Sequence, residues 1–523
     1  MGKNEVRSGV WLADQGDGTY RNPILYTDYA DPDVIRVGED FYMVASSFCN
    51  MPGLPVLHSK DLVNWTVISY VVKNLPFPEY DTPAHGKGVW APSIRYHDEM
   101  FWVFFPTPDE GIFMSKTKDP AGEWSEPVHV KKAKGWIDPC PFWDDDGNAY
   151  LVSAFAKSRI GFKSILNIAR MKPDGTELLD DGQFVFDGNE HHPTIEGPKL
   201  YKRNGYYYIM APAGGVKTGW QTILRSKNIF GPYEDKIVLH QGDKTVNGPH
   251  QGGWVELESG ESWFVHFQDA DAYGRITHLQ PVEWVDDWPM MGVDTNGDGI
   301  GEPVYTYRKP NVGKTYPITE PVTSDEFDAG KLGLQWQWNA NYKDSWYSLT
   351  EKAGSMRLYA VNAGVENETK LCDVSNLLMQ KFPAPDFNAT MKLDFHGEQR
   401  GDTAGLVVLG KDYAALELSK TENGYVLKQI LGYNEEGNKK EWEVCSLEVD
   451  TTALYLRVTV GEGAQCRFSY STDGEEYSLF GDSFVTSPGI WVGAKVGMFC
   501  VNKSVKDSTG YADMDWFRIE RLK

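Results

Sequence analysis

Asp31–Ser47 reads DPDVIRVGEDFYMVASS, two apolar runs rich in β-branched and aromatic residues on either side of a Gly-Glu-Asp turn. That composition predicts a β-hairpin, because tight turns draw on Gly, Asn and Asp while pleated strands favour branched and aromatic side chains. The phrase returns four times: WAPSIRYHDEMFWVFF from Trp90, DPCPFWDDDGNAYLVSA from Asp138, EGPKLYKRNGYYYIMA from Glu196 and QGGWVELESGESWFVHF from Gln251. The leading residues are 59, 48, 58 and 55 positions apart, close to the roughly 40–50 residues of a propeller blade. HSKDLVNW from His58, SKTKDPAGEW from Ser115 and RSKNIFGPY from Arg225 follow three of the copies and predict a further strand. A blade of about four strands fits the spacing. Five blades arranged radially place the five leading residues around one axial funnel, and three of these residues are carboxylates.

With 523 residues the chain is long for one core and implies two domains. The first is expected over residues 16–310. The stretch RKPNVGKTYPITEPVTSDEFD from Arg308 reads as a linker, rich in Pro, Thr and charge. The second domain, residues 320–523, alternates apolar and polar positions in short segments such as SMRLYAV, ATMKLDF, YAALELS and LYLRVTV. Period-two alternation broken by turns predicts an antiparallel β-sandwich. The fold class is therefore all-β, a five-bladed β-propeller followed by a sandwich.

Charge and hydropathy narrow the partners. A net charge of −23 repels phosphate backbones, which argues against nucleic acid. No apolar run approaches the roughly 20 residues of a membrane helix, so no membrane partner is expected. The start MGKNEVRSGVW lacks the apolar core of a secretory signal. A soluble, intracellular protein is the expectation, or a periplasmic or secreted one if a signal was removed. The six cysteines show no CxxC pairing and read as buried thiols. DTNGDGIGE from Asp294 has acidic residues at alternate positions, but Tyr305 stands where a calcium loop has its closing Glu. It reads as an Asp/Gly turn.

The strings NPILYTDYADPDVIRVGEDFYMVASSF, PGLPVLHSKDLVNW, VWAPSIRYHDEMFWVFF, WIDPCPFWDDDGNAYLV, TIEGPKLYKRNGYYYIMAPAGG and GRITHLQPVEW resemble the motif set of glycoside hydrolase family 43. The likeness spans the whole first domain in order. LQWQWNANYKDSWYSLTEKAGSMRL is similar to the concanavalin-like sandwich that follows the propeller in the β-xylosidase and α-L-arabinofuranosidase members. The resemblance implies exo-acting hydrolysis of xylan- or arabinan-derived oligosaccharides with inversion, releasing terminal β-D-xylose or α-L-arabinofuranose. An endo-arabinanase of the same fold and a non-catalytic carbohydrate-binding propeller are the alternatives.

Inverting hydrolysis needs a carboxylate that deprotonates water and a carboxylic acid that protonates the leaving oxygen. A third carboxylate raises the acid's proton affinity by like-charge repulsion. Mapped by motif, the resemblance makes Asp31 in YADPD the general base, Glu196 in IEGPK the general acid, and Asp138 in WIDPC the residue that tunes the acid and orients substrate. Asp33 is a rival for the base, set aside because the motif places the base directly before proline. By the same mapping Trp90 and Phe48 wall the sugar subsite and Arg275 in YGRITHL bonds sugar hydroxyls and the acidic cluster. Members of the family often set a histidine, here His250 in GPHQGGWV, beneath the site beside a hydrated cation. A calcium ion on the axis is the expected cofactor, with no organic one. A sandwich loop near Met498 and Phe499 is expected to narrow the funnel mouth.

Overall fold

The computed structural model describes residues 9–242, 244–363, 369–435, 437–504 and 507–522. Five sheets of four antiparallel strands follow one another, each hydrogen-bonded in chain order. Blade I comprises Asp33–Val37, Asp40–Val44, Gly53–Ser59 and Trp65–Val72. Blade II comprises Ser93–His97, Met100–Thr107, Gly111–Thr117 and Val128–Lys132. Blade III comprises Trp136–Trp143, Ala149–Phe155, Ile165–Met171 and Gln183–Asp187. Blade IV comprises Lys199–Arg203, Tyr206–Ala213, Trp220–Ser226 and Glu234–Leu239. Blade V comprises His250–Glu256, Ser262–Asp269, Arg275–Val285 and Trp288–Met291. The first two strands of every blade are the hairpin of one sequence copy. Second strands such as FWVFFPT are buried on both faces, which is why their apolar run is continuous rather than alternating.

The signatures after three copies are turns between third and fourth strands rather than whole strands. In HSKDLVNW, His58 and Ser59 end the third strand and Trp65 opens the fourth. Between them Ser59 Oγ accepts the Leu62 amide at 2.9 Å, and Asp61 Oδ1 accepts those of Val63 and Asn64 at 3.0 and 2.8 Å. Thr117 with Asp119, and Ser226 with Asn228, repeat the device. Short polar side chains that mimic backbone acceptors give the turn its sequence signal.

Polar contacts stitch the inner strands into a ring. Asp33 is fully buried and accepts the Ile94 amide at 2.9 Å and Arg95 Nη1 at 2.7 Å, joining blade I to blade II. Arg95 also donates to Cys140 Sγ of blade III at 2.9 Å. Lys199 Nζ reaches from blade IV to Ser93 Oγ and the Pro92 carbonyl of blade II at 2.8 and 2.9 Å. Closure between blades V and I is by packing and by the segment before blade I. Leu25 exchanges two backbone hydrogen bonds with Thr277, and Tyr20 Oη and Asn22 bond to Leu279.

The second domain is a sandwich of two eight-stranded sheets, its core built from residues such as Trp336, Phe387, Leu406, Leu456, Met498 and Phe517. It docks on the propeller through backbone: Met51 and Trp338 exchange hydrogen bonds of 3.0 and 2.6 Å. Among the described residues no helix is long and apolar enough to cross a membrane. All six cysteines are thiols, five buried and Cys445 half-buried.

Candidate active site

Asp31, Asp138, Glu196, Arg275, Phe48 and Trp90 line one cavity at the head of the blades, so the structure brings these six predicted residues together. Ala91, Ile137, Val216, Gln251 and Trp491 complete the wall around about 460 Å³ of open space.

Backbone irregularities aim the side chains. Asp31 and Asp138 have φ of 51° and 55°, and Gln251, in the equivalent position of blade V, has 32°. In the hairpin of blade III the register slips between Ile137 and Cys140, and in blade V between His250 and Gly252. Such bulges turn a side chain out of the ladder toward a site. Left-handed backbone before proline is a strained choice that the surroundings must enforce. For Asp31 they do so through Ser46, whose amide bonds the Ala30 carbonyl at 2.8 Å and whose hydroxyl donates to Asp31 Oδ2 at 2.6 Å. Arg275 Nη1 donates to Asp31 Oδ1 at 2.7 Å.

Asp138 Oδ2 accepts the Gly197 amide at 2.7 Å, which ties the head of blade III to the residue after Glu196. Gly197 has a φ of 58°, and a Cβ there would lie 2.5 Å from Gln251 Cγ, so only glycine fits the crossing. The carboxyl of Glu196 remains 27% exposed to the cavity. Loss of solvent pushes it up to about 8, the Asp138 charge adds to this, and Arg275 opposes it. Asp138 is raised as well, first by burial; the Gly197 amide works against that, and the Asp31 charge reinforces it. Two buried carboxyls facing a third cannot all ionise, and Glu196 is the best placed to keep a proton.

The structure sets Asp33 apart from the cavity, since its oxygens are spent on Val34, Ile94 and Arg95 in the inner ring. Trp90 lies 6.2 Å from Phe48 ring to ring, and its indole donates to the Gly86 carbonyl at 3.2 Å. Phe48 is pinned by paired backbone bonds of 2.9 Å with Val89. His250 sits fully buried beneath the site, its Nε2 3.4 Å from Glu196 Oε1. Burial lowers its imidazole to about 3, with Arg275 contributing, so the ring is neutral.

The expectation for Met498 and Phe499 is overturned. Both lie inside the strand Lys495–Asn502 with no exposed surface, because that segment alternates between the two faces of a central sandwich strand. The sandwich residue at the mouth is Trp491, 51% exposed, with Arg275 5.7 Å from its ring. Its segment, SPGIWVGAK, lacks strand alternation, and an isolated aromatic between glycines was the available signal. Gln251 stands at the funnel as the leading residue of the fifth copy, whereas Ser46 carries no signal of its contact, because polar residues at strand ends are common. Asp294 accepts the amides of Gly297 and Gly299 at 2.6 and 2.9 Å, which makes DTNGDGIGE a turn closed on itself.

Three carboxyls, those of Asp31, Asp138 and Glu196, thus stand together at the heads of three blades. Residues 20–289 match the model of glycosyl hydrolases family 43, and residues 324–520 that of the beta xylosidase C-terminal concanavalin A-like domain. The chain belongs to family 43. It is 35% identical to a beta-xylosidase of Formosa agariphila over 560 residues, covering 98% of this chain and 92% of that one. It is 30% identical to the non-reducing end alpha-L-arabinofuranosidase BoGH43B of Bacteroides ovatus, covering 97% and 96%. The crystal structure of the GH43 BlXynB protein from Bacillus licheniformis superposes with a TM-score of 0.80 at 28% identity, covering 96% of this chain and 100% of that one.

Proposed function

We propose that this enzyme removes single terminal β-D-xylose or α-L-arabinofuranose units from xylan- or arabinan-derived oligosaccharides, with inversion. Asp31 acts as general base, Glu196 as general acid, and Asp138 keeps the acid protonated and orients the sugar. The observation that carries the reading is the contrast between the carboxyls. Asp31 accepts from a guanidinium and a hydroxyl, an environment suited to a charged base, whereas Glu196 is held above the carboxylate range.

In the reaction, Asp31 takes a proton from a water on one face of the ring while Glu196 gives its proton to the glycosidic oxygen on the other. The water adds at the anomeric carbon as the leaving alcohol departs, and a separation of roughly 6.5–9.5 Å between the carboxyls leaves room for it. Arg275 steadies Asp31, and Trp90 and Phe48 flank the ring. An exo mode is supported by the narrowness of the cavity, whose space for water centres is about 100 Å³. Trp491 at its mouth argues against the open cleft of an endo enzyme.

A hydrated calcium ion beneath the site forms part of the proposal. Both ring nitrogens of His250 and Oε1 of Gln251 are buried without a hydrogen-bond partner, which fits bonding to waters. Among the described residues no group of three or more His, Cys, Asp or Glu is arranged to hold a metal, so direct ligation by a protein cage does not fit. When bound, such an ion would supply positive charge that steadies the acidic cluster.

The test is to give purified enzyme nitrophenyl β-xyloside and nitrophenyl α-arabinofuranoside and follow the first-formed sugar by NMR. Release of the inverted anomer is expected, abolished in Asp31→Asn on these substrates and in Glu196→Gln on oligosaccharides, whose alkoxide leaving group needs the proton. Retention of configuration, or near-parental turnover by either variant on the substrate named for it, would overturn the assignment. Metal analysis before and after chelation, with Tm, tests the calcium.

A further inference from the structure

Behind Phe48, between propeller and sandwich, lies a second cavity with about 40 Å³ of space for water centres. That is room for about three waters or one small ion, at roughly 10–15 Å³ each. Its lining is unusual for a chain with 74 acidic and 51 basic residues: Lys495, Lys411, His85, Asn50, Asn339 and Asn434 contribute, and among the described residues no carboxylate does.

Lys495 is only 5% exposed, and among the described residues its ammonium makes no side-chain hydrogen bond or ion pair. It stands directly opposite Lys381 on the neighbouring antiparallel strand, and Lys381 is 9% exposed. Like charges opposite each other on one sheet are destabilising, more so when buried. The acid whose charge bears on both is Asp28, whose two oxygens are already taken by the amides of Arg275 and Gly493 at 2.8 and 2.9 Å. His85 spends its Nε2 on the Cys372 carbonyl at 3.0 Å. Burial first and the Lys381 charge second lower Lys495 to about 8, the shift expected of an ammonium lacking its counter-ion.

We infer that this interdomain cavity is a binding site for one small monovalent anion, a halide or a formate-sized carboxylate, seated on the Lys495 ammonium. The anion neutralises the Lys381–Lys495 pair and makes good the missing charge at the domain contact. Phe48 separates it from the sugar cavity, and Gly489, Ile490, Val492 and Gly493 on its wall flank Trp491. The site therefore backs two walls of the active site without touching the reacting atoms.

Crystals soaked in sodium bromide and, separately, in sodium formate test the inference, with Tm followed against each salt for the parent and Lys495→Met. The expected result is an anomalous bromide peak or a formate molecule beside Lys495 Nζ. It should be accompanied by a saturable rise in Tm that Lys495→Met loses. A preference between the two salts identifies the source of the anion. Cavities holding only water in both soaks would overturn the proposal, and so would a salt response identical in parent and variant. If Lys495→Met does not fold, the soaks of the parent enzyme decide alone.

Discussion

Asp138→Asn isolates what the Asp138 charge adds to burial in holding the proton on Glu196. The amide preserves the shape of the side chain and still offers the Gly197 amide an oxygen, a bond that is 2.7 Å long in the parent. What it removes is a negative charge facing Glu196. For a charge within the roughly 4–6 Å at which carboxyls perturb one another, and an effective dielectric of about 20, the effect is about 3–4 kcal/mol, or roughly 2–3 pKa units. The Glu196 side chain is 27% exposed, and screening by solvent reduces the expected shift to about 1–2 units. The acid is then expected to fall from about 8 to roughly 6–7. A general acid works only while protonated, so activity is lost as pH rises through its pKa. The basic limb of the kcat/KM profile should move down by about 1–2 units. The assay is a pH series on an oligosaccharide or alkyl glycoside, whose alkoxide leaving group needs the proton, paired with a nitrophenyl glycoside, whose phenolate departs without protonation and is therefore insensitive to the shift. A variant with lowered kcat but an unmoved basic limb would refute the reasoning and leave Asp138 a purely orienting residue.

Glu196→Gln should abolish turnover yet raise stability at alkaline pH. The folded pKa lies above the unfolded value, so the parent loses stability as pH climbs from about 4.5 to about 8. The variant escapes this loss, and a Tm advantage corresponding to about 1–3 kcal/mol should open across that window and level off above it. Asp33→Ala should cost about 3–5 kcal/mol, because it strands Arg95 in the inner ring; folded protein should keep its kcat, measured per active site, and a collapse of kcat without loss of Tm would restore Asp33 as a rival base. Trp491→Ala should raise KM about 5–10-fold, the worth of one partly exposed aromatic contact, with Tm nearly unchanged; equal KM values would remove the sandwich from the substrate site.

The hairpins were legible because each packs between like neighbours, which forces the same apolar phrase five times. Their leading positions follow from the same repetition, so Asp31, Asp138 and Glu196 converge once the blades close. The bulges at Asp138 and Gln251 left no mark in the pattern beyond a proline or paired glycines, since one extra residue in a strand does not change composition. Asp33 shows the complement. Two residues from Asp31, with the same side chain and also buried, it is a structural anchor solely because Arg95 of the next blade arrives beside it. Trp491 was illegible for a different reason. Its role depends on how a second domain docks, and the contacts that set the docking, such as Met51 with Trp338 and Asn341 with Leu75, join residues far apart in the chain and leave no local pattern.

Asp28 holds the amide of Arg275 with one oxygen and that of Gly493 with the other. The arginine of the propeller and the segment carrying Trp491 thus hang from a single side chain, and Gly274 between them leaves no room for even a methyl group, its Cβ falling 2.5 Å from that carboxylate. Excising the sandwich would for this reason disturb the Asp31–Arg275 side of the cavity as well as uncover it. Conversely, exchanging residues 488–492 for other sequences, with Gly493 and Gly274 untouched, offers a route to new leaving-group preferences that leaves the hydrolytic apparatus in register.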